Sequence, residues 1–185
     1  MKYMGKQIHI VILSLCLVIF VACDTGITPR QINRFYNSTI VFPDSLEFFF
    51  NGVSSFVRID NESVHTKRQV IFIDSLECSL CRVQKSLQYE DLFMESLEKR
   101  KFDLIIIISP PRMERSTVRA FLLNRDLKVP IYLDSNNSFY SINPPLHSSR
   151  LFHAFLLDNS DHPIYVGDPS RDGKLYELFE HIINN

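Results

Sequence analysis

The chain reads as an α/β domain, a central mixed sheet with helices on both faces, and three observations predict it. Val70-Ile-Phe-Ile73 and Asp103-Leu-Ile-Ile-Ile-Ile108 are continuous apolar runs, the pattern of parallel strands covered on both sides. A helical stretch follows each, Ser79 to about Arg100 and Glu114 to about Arg125, and right-handed crossovers make the two strands parallel neighbours. Two further apolar runs, Ala154 to Leu157 and Ile164 to Val166, flank Asn159-Ser-Asp161 and predict an antiparallel hairpin that extends the sheet.

From the N-terminus, Lys2 and Lys6 precede an apolar run from Ile10 to Ala22 that ends at Cys23. The run is shorter than the ~18 apolar residues a membrane span needs and matches a secretory signal. Ala22 before Cys23 resembles a bacterial lipobox, in which the cysteine is lipidated and becomes the mature N-terminus. Phe20 stands where that pattern usually has Leu. Residues 1–22 are therefore read as a lipoprotein signal peptide, 23–37 as a polar tether and 38–185 as the domain. An ordinary cleaved signal or an uncleaved anchor are the alternatives.

Within the domain, Thr39 to Phe42, Leu46 to Phe50 and Val53 to Ile59 read as short strands, with Asn51-Gly52 as a hairpin turn. Val70 to Asp74 is a buried strand, and the Ser79 helix carries apolar residues at 80, 83, 87, 94 and 97. Pro110-Pro111 ends the second long strand. Ile131-Tyr-Leu133 is a short strand, and Asn136 to Ile142 forms a helical turn that Asp134 caps. Lys174 to Ile183 closes the chain as a helix with Leu175, Leu178, Phe179 and Ile182 on one side.

The chemistry-bearing motif is Cys78-Ser-Leu-Cys81, which follows the Val70 strand and opens the next helix. Two thiols at this spacing can close a small disulfide ring, and a helix N-terminus favours the first thiolate. Cys16 leaves with the signal and Cys23 is taken by lipid, so the motif supplies the only thiols of the exported domain, in a compartment where disulfides persist. A redox pair and a static staple both fit. A zinc half-site lacks its remaining ligands, with no second C-x-x-C and no closely spaced His pair, so no metal or cofactor is expected. Removing Lys2 and Lys6 from 20 basic residues leaves 18 against 21 acidic, near −3. With no basic stripe interleaved with aromatics, nucleic-acid binding is not expected.

Taken together, Ile71 to Cys81, Val129-Pro-Ile-Tyr-Leu-Asp134 and Phe155-Leu-Leu-Asp158 with its hairpin and last helix resemble the thioredoxin fold. The likeness is to the membrane-tethered, TlpA-type thiol-disulfide oxidoreductases of bacteria and covers roughly residues 40 to 185. The chain also resembles a group of poorly characterised thioredoxin-like lipoproteins of Bacteroidota. The resemblance implies Cys78 as the exposed attacking thiol and Cys81 as the buried resolving thiol. It implies extracytoplasmic protein thiols or disulfides as partners, a monomer, and a lipid anchor in a bacterial membrane.

Three departures from the family accompany it. Phe152 occupies the position of the usual cis-proline. Phe72 stands six residues before Cys78, where many thioredoxins bury an acid. No Trp precedes the motif, and neither Pro nor His lies inside it. Asp74 is expected at the strand end and Glu77 in the loop, where its carboxylate would raise the neighbouring thiol's pKa. His153 is a candidate proton acceptor for Cys81, a third metal ligand, or simply a satisfied strand residue. The competing function is a non-catalytic binding or scaffold module with a Cys78-Cys81 staple; a thiol peroxidase would need a Thr and Arg constellation that is not evident.

Overall fold

The computed structural model describes residues 26–59, 67–76, 84, 102–169 and 172–184. The signal, Cys23, Glu77 and the Cys78-Cys81 motif lie outside the described residues, as does nearly all of the helix expected from Ser79 to Arg100.

Seven strands form one mixed sheet in the order β2-β1-β5-β4-β3-β6-β7. β1 (Leu46–Phe50) and β2 (Val53–Val57) are the predicted hairpin. Its turn residues Asn51 and Gly52 have φ of 49° and 75°, the left-handed pair that matches strand twist. β3 (Arg68–Ile73) is buried at all six positions, and β4 (Asp103–Ile108) pairs with it in parallel. β5 (Ile131–Leu133) continues the parallel set beside β4. β6 (Ala154–Leu157) runs antiparallel to β3, and β7 (Pro163–Val166) completes the second hairpin. Thr39 to Phe42, expected as a strand, joins no sheet: Ile40 N donates to Asp161 O, and Val41 N donates to the Asn143 side chain.

Each sheet face carries its own core, because alternate residues of the strands point to opposite sides. Ile71, Ile73, Ile106 and Ile108 pack beneath α2 (Arg115–Leu123) and α4 (Gly173–Asn184). Val70, Phe72, Ile105 and Ile107 pack beneath the other layer. That layer holds α1 (Pro29–Tyr36), α3 (Ser138–Ile142) and two 3-10 turns, Pro144–Ser148 and Arg150–His153. In α4 the buried stripe is Phe179 and Ile183, with Tyr176 and Ile182 packed beside them. Leu178, expected on that stripe, is 49 % exposed. The 3.6-residue period puts it about 100° from Phe179, off the buried side.

α1 departs from the expected tether. Thr28 caps it: its hydroxyl accepts from Gln31 N, and Gln31 Oε1 accepts from Thr28 N at 2.8 Å, a reciprocal capping box with Pro29 in the first turn. Phe35 is fully buried, stacked on Phe152 at 4.4 Å between centroids and edge-on to Phe155 at 5.4 Å. Residues 29–36 therefore belong to the packed structure. Among the described residues no helix is long and apolar enough to cross a membrane.

Candidate functional site at the end of the parallel strands

β3, β4 and β5 end in register, Ile73 beside Ile108 and Ile108 beside Leu133. The next residues, Asp74, Ser109 and Asp134, are all polar and all buried. The ladder continues through them, Ser109 N donating to Ile73 O and Asp134 N to Ile108 O, both at 2.8 Å. A buried polar row thus crosses the carboxyl ends of the parallel strands, where α/β sheets habitually carry their chemistry.

Asp134 is the structural member of the row. Its carboxylate accepts from Ser138 N at 2.9 Å and Phe139 N at 2.8 Å, capping α3 as expected, and from Ser109 Oγ at 3.2 Å. Asp74 directly follows β3, and its Oδ1 accepts from Leu76 N at 3.0 Å. This turn bends the chain as it leaves the sheet towards the cysteine motif four residues further on.

His153 ends the second 3-10 turn and leads into β6, where Ala154 lies opposite Ile71. The register brings it to the end of β3. Its Nδ1 lies 4.0 Å from Asp74 Oδ2, and both side chains are buried. Phe72 meets the imidazole edge-on at 5.0 Å and Tyr140 at 6.1 Å, fixing its plane. A buried carboxylate and a buried imidazole thus face each other at the end of β3, the strand that precedes the C-x-x-C motif in the sequence.

Phe152, also expected here, points away. It is 1 % exposed and inserts beneath α1 against Phe35. No cis peptide bond occurs among the described residues, so this entry to β6 differs from the one the family resemblance implies. Phe72 is likewise core, packed against Phe139 and Tyr140.

Sequence reasoning placed Asp74 at the strand end but did not pair it with His153. The usable signal was the polar residue closing each of three apolar strands, which pairing register alone turns into a row. A cavity of about 70 Å³ adjoins His153, lined by Ile71, Arg150, Leu151, Gly167 and Asp168. It is too small for a cofactor, since ligand pockets run to several hundred Å³. Gly167 there has φ 142° and donates to Ala154 O, and a Cβ would lie 3.0 Å from Tyr165 Oη. Among the described residues no group of three or more His, Cys, Asp or Glu is placed to hold a metal.

This sheet order, with the parallel core of β3, β4 and β5 and an antiparallel hairpin at its side, is a thioredoxin fold. Among solved structures the chain is similar to thioredoxin peroxidase I of Plasmodium yoelii, with TM-score 0.52, 11 % identity, and 80 % of this chain and 88 % of that one covered. It is similar to Plasmodium yoelii Prx1a, with TM-score 0.51, 11 % identity and 81 % and 90 % covered. The thioredoxin domain of a thiol-disulfide oxidoreductase from Bacteroides vulgatus aligns at TM-score 0.47 and 15 % identity, over 79 % and 98 %. At these identities the likeness is one of fold. No protein-family model matches the chain, and no curated protein matches it.

Proposed function

We propose that the protein is a membrane-tethered thiol-disulfide exchange protein of the TlpA type that works through Cys78 and Cys81 on extracytoplasmic protein partners. One observation carries the reading. β3, the strand that leads into the C-x-x-C motif, ends among the buried polar groups of the sheet end, with His153 and Asp74 beside it. The Cys78 thiolate attacks a partner disulfide, forming a mixed disulfide and releasing one partner thiolate. Cys81 then attacks the Cys78 sulfur, releasing the second thiolate and leaving a Cys78-Cys81 disulfide. The partner gains two electrons and the pair loses two; the reverse sequence oxidises a dithiol.

Asp74 and His153 are positioning residues in this scheme, supplying a proton relay near the resolving thiol. Leu76 and Met113 in the turns after β3 and β4, and Leu151 in the 3-10 turn before β6, are 76 %, 94 % and 58 % exposed. Exposed apolar side chains at this end suit a polypeptide partner, and the cavity of about 70 Å³ beside Leu151 is small for a ligand pocket. The tether is the lipidated Cys23.

In cells, a Cys81→Ser variant should accumulate mixed disulfides that depend on Cys78. No adduct, together with Cys78 alkylation no faster than an unfolded peptide thiol, would rule exchange out. Cys23→Ser should move the protein out of the lipid-modified membrane fraction. A second reading, a stapled binding module, is favoured by the burial of Phe152 under α1, which changes the backbone edge next to the motif. A reduction potential well below about −300 mV with poor thiol accessibility would select it.

A further inference from the structure

We infer that the layer formed by α1 and the 3-10 turn Pro144–Ser148 is a docking face for an anionic lipid surface, so that the domain sits on the membrane with this side down. The inference rests on the Cys23 tether proposed above. The two segments that build the layer, residues 26–43 and 135–157, contain no Asp or Glu. α1 packs against the Pro144–Ser148 turn, and Arg30, Gln31 and Arg34 line an open cleft of about 420 Å³ with Ser148. Arg30 and Arg34 are one helical turn apart, so both guanidinium groups flank the same cleft.

Neither arginine forms an ion pair among the described residues. Of the acidic residues near these segments, Asp134 is buried and taken up by three hydrogen bonds, and three others lie by basic side chains. Asp44 lies 3.6 Å from Arg58, Asp161 pairs with the buried Arg68, and Asp158 lies 3.9 Å from His162. The opposite layer is mixed in sign, with Glu177 and Glu180 beside Lys174 in α4, and Glu114 beside Arg115 at the start of α2. A chain with more acid than base thus has no Asp or Glu in the described helices and 3-10 turns of this layer.

Tether length makes this layer the one closest to the bilayer. The cap Thr28 is the fifth residue after Cys23, a span of at most ~18 Å. The first helix beyond the lipid is therefore α1, held within reach of a surface whose potential decays over roughly 8 Å at physiological salt. On a second stripe, about 200° round the helix from the arginines, α1 exposes Ile32 at 39 % and Tyr36 at 38 %.

The chain contains no Trp, so one introduced indole is an unambiguous reporter. The full chain, processed in a bacterial host, is reconstituted into vesicles whose acyl chains are brominated near the headgroup. Ile32→Trp reports on the α1 face, and Leu178→Trp, exposed on α4, on the opposite one. In vesicles containing phosphatidylglycerol, Ile32→Trp should be quenched and Leu178→Trp spared. The difference should vanish in phosphatidylcholine alone, in high salt, and when Arg30→Glu and Arg34→Glu are added. Each arginine is expected to change occupancy of the docked orientation roughly fivefold. Equal quenching at both positions, or a difference that survives charge reversal and salt, would overturn the docking face. The mass of the mature N-terminus in the same sample reads the tether separately; without lipid on Cys23 the tether reading fails, and the docking face falls with it.

Discussion

At Asp134 one buried carboxylate accepts three hydrogen bonds, from the Ser138 and Phe139 amides and the Ser109 hydroxyl. Asp134→Ala removes the cap of α3 and leaves the Ser109 hydroxyl and two amides seeking water. Summing a lost cap and a lost buried charged acceptor gives a cost of about 3 kcal/mol. Asp134→Asn keeps one acceptor oxygen and should lose roughly half as much. Urea unfolding of the three proteins checks the order, and an Ala variant within about 0.5 kcal/mol of wild type would contradict it. The capping role was readable from Asp134 standing before a short helical run. The link to Ser109 was not, because it depends on two residues 25 apart being brought side by side by the β4-β5 register. His153 and Asp74 share that history. The sequence put Asp74 at the strand end and offered His153 as a candidate, but their separation of 4.0 Å follows from β6 returning antiparallel along β3.

Among the elements, the strands were the legible part. β3, β4 and β5 are built on the apolar runs Val70–Ile73, Leu104–Ile108 and Ile131–Leu133, and burial on both faces leaves such runs little alternative. The β1-β2 hairpin followed from Asn51-Gly52, whose left-handed geometry few other pairs adopt. α1 was hidden by its composition. One fully buried residue in eight gives no apolar stripe, and polar residues with a proline read as a tether. The decisive sign was the Thr28-x-x-Gln31 capping box. Phe35 supplies the attachment, so Phe35→Ala should cost about 3–5 kcal/mol if α1 unfolds with the domain. If α1 detaches by itself, the cost is smaller and the segment around Asn37 becomes sensitive to protease while β3 and β4 keep their hydrogen-exchange protection. Limited proteolysis followed by mass mapping separates the two outcomes. A variant indistinguishable from wild type in both assays would mean that the ring stack contributes nothing.

Across the whole molecule, alkaline pH tests how the layers are held together. Three tyrosines from different parts of the structure shift in one direction. Burial pushes Tyr36, Tyr132 and Tyr165 above the usual value of 10.0, with Asp103 adding to the effect at Tyr132. Tyr165 moves furthest, to about 12, because burial, the Asp168 carboxylate and Tyr36 all disfavour phenolate. Its hydroxyl donates to Leu175 O at 3.2 Å, joining β7 to α4, and its ring meets Phe179 edge-on at 5.9 Å. A pKa raised on folding means that the folded chain holds these protons more tightly than the unfolded one. Their contribution is therefore complete below pH 10 and declines as pH rises from about 10 towards 12. Denaturant midpoints measured from pH 8 to 12 should stay level and then fall across that window, with the Tyr165 phenol ionising last in the ultraviolet titration. Tyr165→Phe loses the bond to Leu175 at every pH and should show a shallower alkaline decline. The same alkaline slope in both proteins would mean that the Tyr165 proton does not couple to the docking of α4 on the sheet.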